Sequence, residues 1–381
     1  MLATHAIFGG LVSVALCATL MRFRSRIFAL IPRSDLNARQ ASHMRPTLRL
    51  GGGAIICGLW LTMLAMGATA TQTSILFATF PLFTVGLLED LGKHQSPRRR
   101  LAAAAFSGLL VVWFSGIQID RIGVPLLEPF MAYLPISVGL SIFVTVGLCH
   151  AFNLVDGLNG LSGSITLTSI AGFVGVLALA GASDSSNLLL ALAGAVGGCL
   201  LFHFPHGRIF LGDAGAYCIG FILAWTAVDL MVQLPQFSPW AAVLIFFWPV
   251  ADTLFTILRR LSQGSKIYHP DRLHFHQVVL RTLEITWVGR HNRTIANPLA
   301  TVLMLPLFAV PVGLGVMFWN QNGRAGWSFV AAFACYAVTY RALIKFAKAH
   351  RSSRIHRALL AAASEASDLG TATPDMQDRL R

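Results

Sequence analysis

The chain has 381 residues, is 55% hydrophobic and only 12% charged, and carries a formal net charge of +13. Soluble domains carry about 25% charged residues, so this composition excludes an ordinary soluble fold. The six cysteines stand singly, without CxxC spacing, which argues against a disulfide framework or a zinc site and fits small apolar fillers.

Apolar runs recur from end to end, each of roughly the 17–25 residues that let a helix cross a bilayer. The first, 2–21, has no basic residue before it and Arg22, Arg24 and Arg26 directly after it. A secretory signal has the reverse charge order, so this run is expected to be an uncleaved helix. Further spans are expected at about 51–70, 73–88, 101–117, 134–152, 164–182, 188–204, 215–232, 239–258, 297–318 and 327–343. The expected fold is all-α, a polytopic membrane protein of about eleven transmembrane helices with a periplasmic N-terminus and a cytoplasmic C-terminus.

The basic residues agree with that alternation. Of 29 lysines and arginines, 27 fall on inner segments and only Arg121 and Arg324 on outer ones, as the positive-inside rule requires. The charge is therefore a topology signal, and no nucleic-acid partner is expected. Residues 1–348 read as a transmembrane catalytic domain with inner polar loops at 22–50, 89–100, 153–163, 205–214 and 259–296. Residues 349–381 read as a cytoplasmic tail that begins as a basic amphipathic helix and ends polar and partly disordered.

Acids in or beside membrane spans are costly and point to function by default. Glu89 and Asp90 end the third span, close to Lys93 and the run Arg98-Arg99-Arg100. Asp156 lies in AFNLVDGLNGLSG, an irregular polar segment between two apolar runs, which must face water or a wet cavity because lipid cannot satisfy its backbone. Asp213 stands between glycines in FLGDAG, where it suits a hard cation such as Mg²⁺, and Asn153 offers an amide oxygen to the same shell. Asp252 is expected about 10 Å up the ninth span, at 1.5 Å rise per residue. In DRLHFH, His274 and His276 lack a third nitrogen or sulfur ligand for zinc and read, with Arg272, as a cationic pocket for phosphates. PTLRLGGG, holding Arg49, is by itself a helix-start turn with small-residue packing.

In this order, PTLRLGGG, GLLED, AFNLVDGLNGLSG, FLGDAG, PVADT and DRLHFH resemble the motifs of the polyprenyl-phosphate N-acetylhexosamine-1-phosphate transferases, glycosyl transferase family 4. They span residues 46–276. The resemblance implies transfer of a HexNAc-1-phosphate from a UDP-N-acetylhexosamine to undecaprenyl phosphate, with Mg²⁺ (or Mn²⁺), in a bacterial inner membrane with the site facing the cytoplasm. It implies Asp213 and Asn153 as metal ligands, and Asp90, Asp156 and Glu89 as catalytic acids. It further implies Arg272, His274, His276, Lys93, Asn159 and Arg49 on the substrates. The form of the motifs is closer to the O-antigen-initiating branch, which primes a cell-surface polysaccharide. The lipid bilayer is the remaining partner, and a homodimer stays open. Three positions depart from the family pattern: Glu89 for the first acid of a DD pair, Asn159 for the second acid of DGxDG, and Gln277 for a further histidine. Asn159 cannot act as a base, which leaves Asp156 to carry its loop. A secondary transporter using membrane carboxylates is the rival class, and a covalent aspartyl route the rival mechanism.

Overall fold

The computed structural model describes residues 2–30, 47–264, 271, 273–289 and 292–368. Among them no strand forms, and fifteen α-helices account for most of the chain. In order these are α1 Leu2–Arg22, α2 Arg24–Leu30, α3 Gly51–Met66, α4 Ala70–Asp90, α5 Pro97–Ser115, α6 Glu128–Met131, α7 Leu134–Val155 and α8 Leu161–Leu179. There follow α9 Asn187–His203, α10 Gly212–Gln233, α11 Pro239–Ile245, α12 Phe247–Ser262, α13 Phe275–Leu283, α14 Arg293–Met317 and α15 Asn322–Asp368.

Every expected span coincides with a helix, or in one case with a pair. Among the described residues, seven helices are individually long and apolar enough to cross a membrane, or eight when α11 and α12 count as one. The apolar helices α3 and α9 are shorter than that. Local chemistry sets several starts. Thr69 and Gln72 close a capping box on α4, and Ser96 and Ser238 cap α5 and α11 ahead of Pro97 and Pro239.

The expected straight ninth span is instead broken, with α11 and α12 meeting at 87°. Pro249 has no N–H for the Ile245 carbonyl, and its ring would clash with that carbonyl in a continuous helix. Ser169 donates its hydroxyl to the freed Ile245 oxygen at 3.1 Å. The break precedes Asp252, so Asp252 and Arg259 still lie on one continuous helix, α12, while its direction differs from that of α11. The adjoining loop also holds more structure than expected, since α13 and a π-turn at Glu284–Val288 lie within 259–296.

The centre of the bundle is α10, buried from Gly212 to Met231 and packed by α3, α4 and α7. Both its ends are satisfied by charged side chains. At the N-terminus the Asp213 and Ala214 N–H groups donate to Asp90 at 2.8 and 2.9 Å. At the other end Arg121 donates to the carbonyls of Met231, Leu234 and Phe237 at 2.6–3.2 Å. An anion at the N-terminus and a cation at the C-terminus is the pairing the helix dipole favours.

Candidate active site

The site is built first from main chain. Residues 48–52 run parallel to 209–211. Phe210 N–H donates to the Leu48 carbonyl at 2.8 Å, and Gly51 and Gly52 N–H donate to Phe210 and Leu211 carbonyls at 2.8 and 2.7 Å. A Cβ on Gly52 would fall 2.2 Å from the Gly215 nitrogen, so the two glycine-rich motifs meet where neither can carry a side chain. PTLRLGGG is thus the docking partner of FLGDAG rather than a self-contained turn. Gly212 turns the chain into α10 at φ 74°, a left-handed conformation that glycine adopts freely, with Arg49 main chain and the Asp90 carboxylate pressed against it.

This turn projects Asp213 into a ring of donors. Asn153 Nδ2 lies 3.1 Å from Oδ1, Arg49 pairs with Oδ1 at 3.6 Å, and Arg100 with Oδ2 at 3.4 Å. Arg100 also donates to the Tyr217 hydroxyl at 3.4 Å. The three arginines of the run Arg98–Arg100 do not share one environment. The periodicity of α5 separates them: Arg100 continues the buried stripe Ala104, Ser107 and Val111, while Arg98 and Arg99 are exposed. Asp90 is buried, and its two oxygens are both taken by the α10 N–H groups. In this geometry it anchors the helix that carries Asp213.

Asp156 closes α7 and is half-buried. The Ser162 hydroxyl donates to its Oδ1 at 2.5 Å. Burial is the largest influence and raises its carboxyl to about 6, with Ser162 and Arg49 pulling the other way. Asn159, three residues on, faces the protein. Its N–H donates to Asn297 Oδ1 at 2.7 Å, its Nδ2 to the Pro205 carbonyl at 2.7 Å, and its own carbonyl accepts from Thr301 at 2.9 Å. The amide expected on substrate therefore ties the loop to α14 and to the turn before FLGDAG.

The DRLHFH segment reaches the same loop from the far side. A Cβ on Gly157 would lie 2.3 Å from His276 Nε2, so these two elements are in direct contact. His274 Nδ1 lies 2.7 Å from Asp252 Oδ2, and the two imidazoles stack with centroids 5.9 Å apart. Burial opposes charge on His274, but the bond and charge of Asp252 outweigh it and raise its pKa. His276 has no such partner, and burial lowers it to about 4. The expected cationic pair is thus one cation-favouring and one neutral histidine. Asp252 sits on the buried stripe Trp248, Asp252, Thr256 and Arg260 of α12, a four-residue period that could have marked it as a site residue. Asp271 pairs with Arg259 and Arg260 on the same helix.

The remaining expectations separate. Glu89 accepts from the Gln95 N–H at 2.5 Å and so shapes the turn after α4. Lys93 is exposed. Arg272 lies outside the described residues. No group of three or more His, Cys, Asp or Glu suited to a metal occurs among the described residues. Asp213 and Asn153 could supply three hard oxygens at most, two from the carboxylate and one from the amide. That fits Mg²⁺, which keeps several waters and takes substrate phosphates.

Fold and site together define a multi-pass helical membrane protein with an acidic, arginine-flanked centre at the helix ends. The family model of glycosyl transferase family 4 matches residues 72–231. Three relatives agree. The probable undecaprenyl-phosphate N-acetylglucosaminyl 1-phosphate transferase of Bacillus subtilis is 28% identical over 66% of this chain and 70% of its own. The undecaprenyl-phosphate alpha-N-acetylglucosaminyl 1-phosphate transferase of Escherichia coli O157:H7 is 25% identical over 88% and 90%. The decaprenyl-phosphate N-acetylglucosaminephosphotransferase of Mycobacterium tuberculosis is 29% identical over 74% and 75%. The chain is therefore similar to glycosyl transferase family 4 across residues 72–231, and to these three transferases over 66–88% of its length.

Proposed function

We propose that this protein transfers a HexNAc-1-phosphate from a UDP-sugar to undecaprenyl phosphate, releasing UMP, at the cytoplasmic face of a bacterial inner membrane. The product would prime a cell-surface polysaccharide of the O-antigen kind. The observation that carries the reading is Asp213, held at the N-terminus of a buried helix with Asn153, Arg49 and Arg100 around its carboxylate. The asymmetry of basic residues supports the orientation.

Both substrates are anionic at the reacting centre, so neutralising charge is the main task of the site. Asp213 and Asn153 are the residues that would hold Mg²⁺, which when bound supplies positive charge beside the diphosphate. Arg49, Arg100 and His274 add cations around it. An oxygen of the lipid phosphate attacks the β-phosphorus, and the bond from that phosphorus to the bridging oxygen breaks, so the electron pair leaves with UMP. Asp156 orients this acceptor and takes its proton. With a carboxyl near 6 it is largely ionised at neutral pH and still basic enough for the step. Asp90, whose oxygens hold α10, is better suited to positioning.

The test is UMP release by the purified protein in detergent with undecaprenyl phosphate, Mg²⁺ and a panel of UDP-N-acetylhexosamines. Release that requires both substrates supports the reading. No release with any sugar overturns it and leaves a transporter as the next class to assay.

A further inference from the structure

The last long helix reaches back to the histidine loop, and this contact has no part in the reading so far. Asp252 on α12 receives three donors at once. His274 Nδ1 is 2.7 Å from Oδ2, while Phe275 N–H and the Tyr336 hydroxyl donate to Oδ1 at 3.0 and 2.6 Å. Tyr336 lies on α15, one turn before Tyr340, whose hydroxyl donates to the Leu273 carbonyl at 2.8 Å. The residues before and after His274 are therefore both pinned through their main chain. The ring itself is pinned through Nδ1. Asp252, His274 and Tyr336 are all buried.

We propose that Asp252 and Tyr336 are positioning residues that act through His274, fixing its ring so that Nδ1 faces Asp252 and Nε2 faces the substrate phosphates. This rests on the transferase reading above. A carboxylate on one imidazole nitrogen decides which nitrogen carries the proton and where the other points. A buried carboxylate here would be costly without partners, and its three donors remove that cost. The assignment also explains why the two histidines differ. His274 meets Asp252, with Asp271 and Arg259 acting on it from farther off, and Tyr336 and Tyr340 close the α15 side. His276 packs on Gly157 and keeps a neutral ring. Helix α15 lies wholly beyond the segment matched to the family, residues 72–231. Its two tyrosines thus make the end of the chain part of the site.

The experiment is a double-mutant cycle on full-length protein, read as kcat and KM for UMP release and as the pH profile of kcat/KM. Asp252→Asn and Tyr336→Phe are each made in the native chain and in His274→Gln. Asp252→Asn is expected to lower kcat on the order of 10–100-fold, as losses of such supporting partners do. Its alkaline limb should move to lower pH, because His274 then loses the partner that favours its protonated form. Asp252→Glu should restore most of that limb. In the His274→Gln background both changes should cost less than about threefold, since interacting residues are non-additive. Equal losses in the two backgrounds, with an unmoved pH limb, would overturn the proposal. If Asp252→Asn does not accumulate folded, the Tyr336→Phe half of the cycle decides alone by the same criterion. Failure of the underlying reading looks different: the native chain itself would release no UMP.

Discussion

Replacing Asp90 by Asn separates an anchoring from a catalytic role for the acid that ends α4. The carboxylate accepts two main-chain N–H bonds, from Asp213 at 2.8 Å and Ala214 at 2.9 Å. Asn is nearly isosteric but offers one oxygen and one donor, so one N–H at the start of α10 would face an NH₂ group. Leaving a buried donor unsatisfied costs about 1–3 kcal/mol. Removing an anion from a helix N-terminus costs a further 0.3–2 kcal/mol or so, but it also relieves the burial of that charge and its repulsion by Asp213, which offsets this part. We expect a loss of about 1–3 kcal/mol, read as a fall of several degrees in the unfolding temperature of the detergent-solubilised protein without substrate. Activity should fall in parallel, because Asp213 is set by the same turn. A variant as stable as the native chain but inactive would refute the anchoring argument and return Asp90 to the role of base.

Asp213→Ala should abolish UMP release while leaving the unfolding temperature within a few degrees, and EDTA should do the same reversibly to the native protein. The Asp156 carboxyl, raised to about 6, makes kcat/KM rise with pH through that region, because the ionised form does the work. The folded state binds the proton more tightly than the unfolded one, so this group's contribution to stability falls as pH rises from about 4 to 6. Ser162→Ala removes a bond to the ionised form and should move the activity limb to higher pH. Asn159→Asp, which places a carboxylate where the motif resemblance expects one, should destabilise rather than improve this chain. Its carboxylate would meet the Pro205 carbonyl that now accepts from Nδ2, and a drop in unfolding temperature would register it.

Helix positions were legible because the hydrophobicity of a span is a local property. The break in the ninth span was not foreseen, although Pro249 announces it, since composition over a 20-residue window averages over one proline. The acids were legible as a group from their side of the membrane, but their division of labour was not. Asp90 and Asp213 are 123 positions apart, and only the folded chain shows one holding the helix that carries the other. Asn159 was expected on the substrates because its actual partners, Asn297 and Thr301, lie far down the chain. Arg100 and Asp252 were recoverable in principle, since each falls in phase with the buried stripe of its own helix.

The burial of α10 has a consequence for the setting in which the enzyme works. A 22-residue helix is roughly 33 Å long, close to the thickness of a bilayer core, and this one has protein neighbours along nearly its whole length. Acyl chains instead meet helices such as α1, α5 and α15, where Leu11, Trp113 and Val338 are exposed. A thinner or thicker membrane therefore presses on the rim of the bundle and is absorbed there by tilt. Asp213 thus begins the helix that, among the described spans, is most fully enclosed by protein.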